Sequence, residues 1–247
     1  MRRLLLLSAV AIVSGGPAVA QRISAEAEYQ QCMALVQRDP AAAFERASSF
    51  ALQGGGFPAR HCAASALVRL RRHGEAAQRL EGLAQDVGRT RPTLGAEILA
   101  QAATSWQAAD QPERAAGVIE AGLRLDQFNV DLRFERALLH AEAKRWVEAA
   151  DDLTVIIQRL PRRLDVLVLR ATAYRNASLG ELAEQDIATA LRLEPGNPEA
   201  LVERAWQRYA RGDLAGARQD FVAAAARQPD GPAGDMARRA LEEIERR

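Results

Sequence analysis

Few residues in this chain could do chemistry. There are three histidines (His61, His73, His140) and two cysteines (Cys32, Cys62) among 247 residues. His61 adjoins Cys62, and an imidazole beside a thiol is the beginning of a metal site or of an activated nucleophile. No Cys-x-x-Cys spacing completes either one. The glycine-rich GGGFP (54–58) is followed by neither the Lys nor the Ser of a phosphate-cradling loop, so it reads as a flexible joint between helices. His140 falls where a packed imidazole is expected, and His73 at a solvated helix turn. The chain is therefore read as no enzyme, with no catalytic residue, no metal ligands and no cofactor.

The cysteines take their meaning from the N-terminus. Arg2-Arg3, the apolar run LLLLSAVAIV (4–13) and the small residues ending in Ala18-Val19-Ala20 follow the order of a secretory leader. Residues 1–20 are expected to be a signal peptide cleaved after Ala20, placing the chain in a periplasm or outside the cell. Ten apolar residues are too few to span a bilayer, which takes about 20 as a helix, and no later segment qualifies. An uncleaved anchor and an ordinary first helix remain as alternatives. In an oxidising space an even pair of cysteines favours a Cys32–Cys62 disulfide, against two separately buried thiols. Lys+Arg number 33 and Asp+Glu 32, a balance that gives no electrostatic case for nucleic acid.

A 34-residue period supplies the elements that hold these residues. Pro161, Pro195 and Pro229 keep that interval, as do Ala149, Ala183 and Ala217, and Leu153, Ile187 and Phe221. One unit earlier the columns continue as Ala115 and Ile119, and Ala103, Ala137, Ala171 and Ala205 form another. TALRLEPGNPEAL (189–201) shows the punctuation: a helix stops near Glu194-Pro195, and Asn197-Pro198 starts the next, with Asn as cap and Pro at the first helical position.

These columns resemble the tetratricopeptide repeat, with small residues at positions 8 and 20, a large apolar residue at 24 and proline at 32. The units are 96–129, 130–163, 164–197 and 198–231. Arg208 stands where a bulky ring is usual, Gln127 where a proline is, and Gly180 where a Tyr is. Residues 57–95 read as a divergent unit carrying about five extra residues in VGRTRP (87–92), which would lengthen a connection. Residues 21–56 read as an N-terminal helix pair split at Asp39-Pro40. Residues 232–247 read as a capping helix, with Asp235 as its cap and Ala237, Leu241 and Ile244 as its buried stripe. The resemblance implies an all-α fold, a right-handed superhelical α-solenoid of helix-turn-helix repeats.

Within the array, position 7 holds Arg136, Arg170 and Arg204, and position 23 holds Asp152, Asp186 and Asp220, an offset of 16 each time. The unit 96–129 has Ala102 and Val118 instead. Both positions lie eight residues, about 12 Å, from the hairpin turn near position 15, so they share one height on facing helices. Three partly buried Arg–Asp ion pairs, one per hairpin, are expected, against six unrelated surface charges.

By resemblance, positions 5, 9, 12 and 13 of the first helices line a concave groove that holds a partner's peptide or helix. The groove residues are Phe134, Leu138, Val168, Thr172, Arg175, Asn176, Val202, Trp206 and Tyr209. They suggest an apolar or aromatic-anchored segment, with Arg175 near an acidic group of the partner. Trp206 reads equally as packing against the last helix. The position-2 acids Glu97, Asp131, Asp165 and Glu199 read either as a ridge for a basic partner or as complements to helix dipoles. The function implied is an exported protein-interaction scaffold; the alternative is a self-assembling structural protein of the cell envelope.

Overall fold

The computed structural model describes the backbone of residues 17–246 and the side chains of residues 25–246. Residues 1–16 of the expected leader lie outside the described residues. All regular structure described is α-helical. It falls into two compact units, Met1–Leu83 and Ala84–Arg247.

The first unit contains α1 (Pro17–Arg38), α2 (Pro40–Leu52) and α3 (Gly56–Arg69). Asp39 caps α2, its carboxylate accepting from Ala42 N at 3.0 Å, and Pro40 takes the first helical position. The joint at 54–58 is shorter than its sequence suggests. Gly54 and Gly56 adopt positive φ (84° and 51°), and Gly56-Phe57-Pro58 already form the first turn of α3. Cys32 and Cys62 are joined by a disulfide, with Cα atoms 6.2 Å apart, inside a core of Val36, Ala43, Ala47, Ala63 and Ala66.

The division between the units falls within α4 (His73–Gly88). His73 starts this helix with its Nδ1 shielded and without a partner, so it is not the solvated turn residue expected. The extra residues of the divergent unit do not lengthen a connection either. They extend α4 to 16 residues and α5 (Pro92–Ala108) to 17, leaving only 89–91 between. Gly88 and Gly95 permit that tight approach: a Cβ on Gly95 would stand 2.8 Å from Gly88 Cα.

From α5 the second unit is a stack of hairpins, α5 with α6 (Pro112–Leu125), α7 (Val130–Glu142) with α8 (Trp146–Arg159), α9 (Leu164–Asn176) with α10 (Gly180–Leu193), and α11 (Pro198–Ala210) with α12 (Leu214–Arg227). The alanines at positions 8 and 20 are at most 1% exposed, as are Ile119, Leu153, Ile187 and Phe221 at position 24. Small side chains let the helices of one hairpin approach, and the larger one fills the space behind them. Each fully buried Leu, Ile or Phe is worth about 1.5–3 kcal/mol.

Both connections repeat. After each first helix one residue is left-handed: Asp110, Lys144, Ser178 and Gly212, with φ between 56° and 81°. The next amide then bonds back five residues, for example Arg145 N to His140 O at 2.8 Å and Leu179 N to Tyr174 O at 2.8 Å, closing a Schellman turn. Arg71 (φ 60°) and Arg72 N to Leu67 O (2.9 Å) do the same between α3 and α4. After each second helix the chain extends, and Asn129 and Asn197 cap the next first helix by accepting from Leu132 N and Ala200 N. Where proline is missing at Gln127, the Asp126 carboxylate accepts from Phe128 N (3.0 Å), an Asx turn that also ends the helix.

The last helix, α13 (Pro232–Glu245), is capped from outside: Ala233 N donates to Gln228 Oε1 at 2.9 Å, while Asp235 lies inside its first turn. Ala237, Leu241 and Ile244 pack on the cluster of Leu201, Ala217 and Phe221. The chain is an all-α helical-repeat solenoid.

Candidate functional site

The Arg–Asp columns meet as forks. Arg136 donates Nε and Nη2 to Asp152 (2.8 and 2.8 Å), Arg170 to Asp186 (2.8 and 2.7 Å), and Arg204 to Asp220 (2.8 and 2.7 Å). The three aspartates are 2%, 5% and 3% exposed. Bidentate bonds to a buried carboxylate raise the pKa of each arginine above its ordinary value, although burial itself opposes this.

Tertiary structure adds members that sequence spacing does not reveal. Arg133 donates Nη1 to Asp152 (2.7 Å), and Arg208 donates Nη1 to Asp220 (2.8 Å) and to Gly216 O (3.2 Å). The missing ring at Arg208 is therefore replaced by a second cation on the same aspartate. His140, at the equivalent place, has Nε2 3.8 Å from Asp152 and a shielded Nδ1 without a partner. Burial lowers its pKa from 6.5, with Arg145 and Arg136 acting in the same direction. These groups link the two helices of each hairpin, and Arg136 with His140 and Arg204 with Arg208 also line open concavities of about 390 and 360 Å³ against the preceding hairpin.

The expected groove residues divide. Phe134, Leu138, Val168 and Thr172 are half-buried on successive first helices, and Asn176 is exposed, donating Nδ2 to Thr172 O (2.8 Å). Val202 is 2% exposed and belongs to the core, so it offers a partner nothing. Arg175 already has a carboxylate partner within the chain. Glu203, itself buried on α11, accepts from its Nε and Nη2 at 2.8 and 3.2 Å. Trp206 and Tyr209, both half-buried, join the chain's own packing: the Trp206 ring lies 5.1 Å from Phe221 and 5.9 Å from Tyr209, both edge-on, and both residues pack on the cluster that includes Ala233 and Ala237 of α13.

An open concavity remains between α5 and α7, about 450 Å³, lined by Ala100, Thr104 and Phe134 with Glu97, Asp131 and Glu135. Thr104 Oγ1 donates to Glu135 at 3.2 Å, and Arg163 stands 5.0 Å over the Phe134 ring while holding Asp165. The acids here belong to first turns (Glu97 excepted) or to position 6, a position the repeat pattern did not flag. Among the described residues no three His, Cys, Asp or Glu side chains gather as a metal site, and no helix is long and apolar enough to cross a membrane.

No protein-family model matches the chain. It is similar to a TPR repeat-containing protein of Pseudomonas aeruginosa, 27% identical over 202 residues, which cover 80% of this chain and 33% of the relative. The chain thus spans about a third of that relative's length. Among solved structures it resembles the C-terminal part of a TPR repeat-containing protein of Cytophaga hutchinsonii (14% identity, 81% of this chain and 79% of that one, TM-score 0.66). A chain of the APC/C hetero-tetramer Cut9–Hcn1 matches with 14% identity over 91% of this chain and 44% of that one, TM-score 0.64. MamA from residue 41 of Desulfovibrio magneticus RS-1 matches with 16% identity over 68% and 93%, TM-score 0.58. The 34-residue columns, the hairpin stack with its left-handed turns and these likenesses together give the chain the fold of a tetratricopeptide-repeat array.

Proposed function

We propose that the chain is a protein-interaction scaffold whose first-helix face, within the Ala84–Arg247 unit, receives a partner segment combining apolar side chains with Lys or Arg. The observation that carries this is the concavity around Phe134, apolar at its base and flanked by Glu97, Asp131 and Glu135. Arg175 on α9 is paired with Glu203, and Arg163, which stands over the Phe134 ring, is paired with Asp165, so both nearby arginines already have carboxylate partners. Acidic groups beside a half-buried ring favour a cationic, apolar ligand: the carboxylates attract positive charge, and the ring, which already carries Arg163 over it, adds apolar contact. The Cut9–Hcn1 assembly supports the reading to the extent that a chain of like fold there belongs to a hetero-tetramer.

We place this activity outside the cytoplasm. The order of residues 2–20 and the Cys32–Cys62 disulfide support that placement, because disulfides persist in oxidising compartments. Residues 1–25 fused to alkaline phosphatase test it: activity in intact cells is expected, and an inactive cytoplasmic fusion refutes it.

The groove is tested by anisotropy titration of labelled short peptides that pair Leu or Phe with Lys or Arg. Binding is expected to weaken at least tenfold in Phe134→Ala and in Glu135→Gln, and to fall with salt. Equal binding by both variants refutes the reading. Concentration-dependent mass of the unliganded chain, lost in Phe134→Ala, would instead show a second copy on this face.

A further inference from the structure

The junction of α10 with α11 departs from the other ion-paired junctions at three places. Arg136 and Arg170 each use their remaining guanidinium nitrogen, Nη1, to reach the preceding hairpin. Arg136 donates to Glu120 Oε1 (2.9 Å) and Arg170 to Thr154 Oγ1 (2.9 Å), each acceptor 16 residues upstream. The corresponding residue before Arg204 is Ala188, which has no side-chain acceptor. Arg204 gives Nε and Nη2 to Asp220, and among the described residues its Nη1 has none.

Gln207 is the second departure. Its equivalents in the two preceding units are Leu139 and Ala173. Gln207 is 8% exposed, yet neither its Nε2 nor its Oε1 has a hydrogen-bond partner. A buried carboxamide with both ends unsatisfied is costly and rare, so its donor and its acceptor call for a ligand that offers both.

The third departure is Arg208. At the preceding junction Tyr174 packs against Ala150 and Ala173. Here the ring is absent, and a cavity of about 360 Å³ lies beside Arg204, Gln207 and Arg208; one of about 390 Å³ lies beside Arg136, Leu139 and His140 at the α6–α7 junction, so the departure is in the lining rather than in the space, which is of a size usual for ligand sites. Its base is apolar (Ile187, Leu191), and exposed Arg192 and Arg211 stand at its edge, Arg211 paired with Glu184 at 2.6 Å. Four arginines against Glu184, Asp220 and Asp213, the last 3.8 Å from Arg208, leave the surroundings positive by one charge.

We propose that this cavity binds the carboxylate of an acidic peptide residue. Arg204 Nη1 takes the carboxylate in place of the acceptor that Ala188 lacks, and the Gln207 carboxamide pairs with the adjoining peptide N–H and C=O. The partner thus supplies in trans what Glu120 and Thr154 supply within the chain. The site uses positions 7, 10 and 11, none of which belongs to the first-helix groove, so it stands or falls independently of the function proposed above. A peptide carboxylate and a free anion share this chemistry, and the experiment separates them.

The test is a ¹⁵N–¹H NMR titration of the full chain, reading the Gln207 side-chain amide, with acetyl-Ala-Glu-Ala-amide, its Gln counterpart and inorganic phosphate. The Glu peptide is expected to shift that resonance saturably, at least tenfold more tightly than the Gln peptide. Ala188→Glu copies Glu120 and supplies the acceptor internally; it should weaken the Glu peptide at least tenfold while leaving the unfolding midpoint unchanged or higher. In Gln207→Leu, which copies Leu139, the Ala188 backbone amide is followed instead, with the same loss. Phe134→Ala should leave the titration unaltered. Equal binding of the Glu and Gln peptides overturns the proposal, as does undiminished binding by both site variants. Phosphate binding as tightly as the Glu peptide would assign the cavity to a free anion instead.

Discussion

Removing the carboxylate of Asp186 tests whether the Arg–Asp forks hold the hairpins together. Asp186 receives two charge-assisted bonds from Arg170 (2.8 and 2.7 Å), and the arginine side chain is only 15% exposed, so its guanidinium has lost most of its water. In Asp186→Ala the cation keeps only Thr154 Oγ1 (2.9 Å) and the Tyr174 ring (5.4 Å). Breaking a buried pair by deleting one partner costs about 3–5 kcal/mol, and those two remaining partners place the expected loss near the low end, about 3 kcal/mol. The unit 96–129 provides the control: Ala102 and Val118 occupy the same two positions and are both buried. Arg170→Ala combined with Asp186→Val copies that pair, removes both charges and should cost only about 1–2 kcal/mol, chiefly the lost packing of the arginine stem. Arg170→Ala alone leaves Asp186 buried and unpaired and should likewise cost about 3 kcal/mol, so with Asp186→Val as the matching single variant the coupling is about 4 kcal/mol. Urea unfolding followed by circular dichroism measures it. Hydrogen exchange at α9 and α10 localises it, which matters because repeat arrays do not always unfold in one step. A loss below about 1 kcal/mol for Asp186→Ala, or a double variant as unstable as the sum of the singles, would refute the reasoning.

Three further outcomes follow from the same geometry. Cys32→Ser with Cys62→Ser opens a loop of 30 residues and should destabilise the Met1–Leu83 unit by about 3–4 kcal/mol by the chain-entropy argument, read as a lower unfolding midpoint equal to that of the reduced wild type. His140 has a folded-state pKa below 6.5, so its share of stability is complete above pH 6.5 and is lost as pH falls through the folded value; the wild-type urea midpoint should drop more between pH 7.5 and pH 5 than that of His140→Tyr, which copies Tyr174. Gly212 holds φ at 81°, and Gly212→Ala should cost about 1–2 kcal/mol, whereas Lys144→Gly, at φ 58°, should be neutral or stabilising by thermal melting.

How much could be read in advance depended on how local the cause was. Helix stops at Glu194-Pro195, the caps at Asp39 and Asn197 and the 34-residue columns act within one or two turns of backbone, and residue type alone carries them. The forks were also legible, because an offset repeated three times translates into equal height on facing helices. The left-handed residue at position 15 was not, since three of its four holders are Asp, Lys and Ser. The Schellman bond imposes that conformation on whichever residue arrives there.

Side-chain partnership across hairpins belonged to the tertiary structure alone. Arg175 looked free until Glu203, 28 residues on, arrived beside it; Arg208 looked misplaced until Asp220 received it. Trp206 looked like a partner's anchor, but it is half-buried against Phe221 and the cluster that Phe221 shares with α13. By itself the sequence determined where helices start, stop and repeat, because those events depend on backbone dihedrals and on neighbours a few residues away. Which polar groups are matched and which remain open, as at Gln207 and Ala188, was decided only when helices packed. Long side chains can choose among several partners, and burial makes that choice binding.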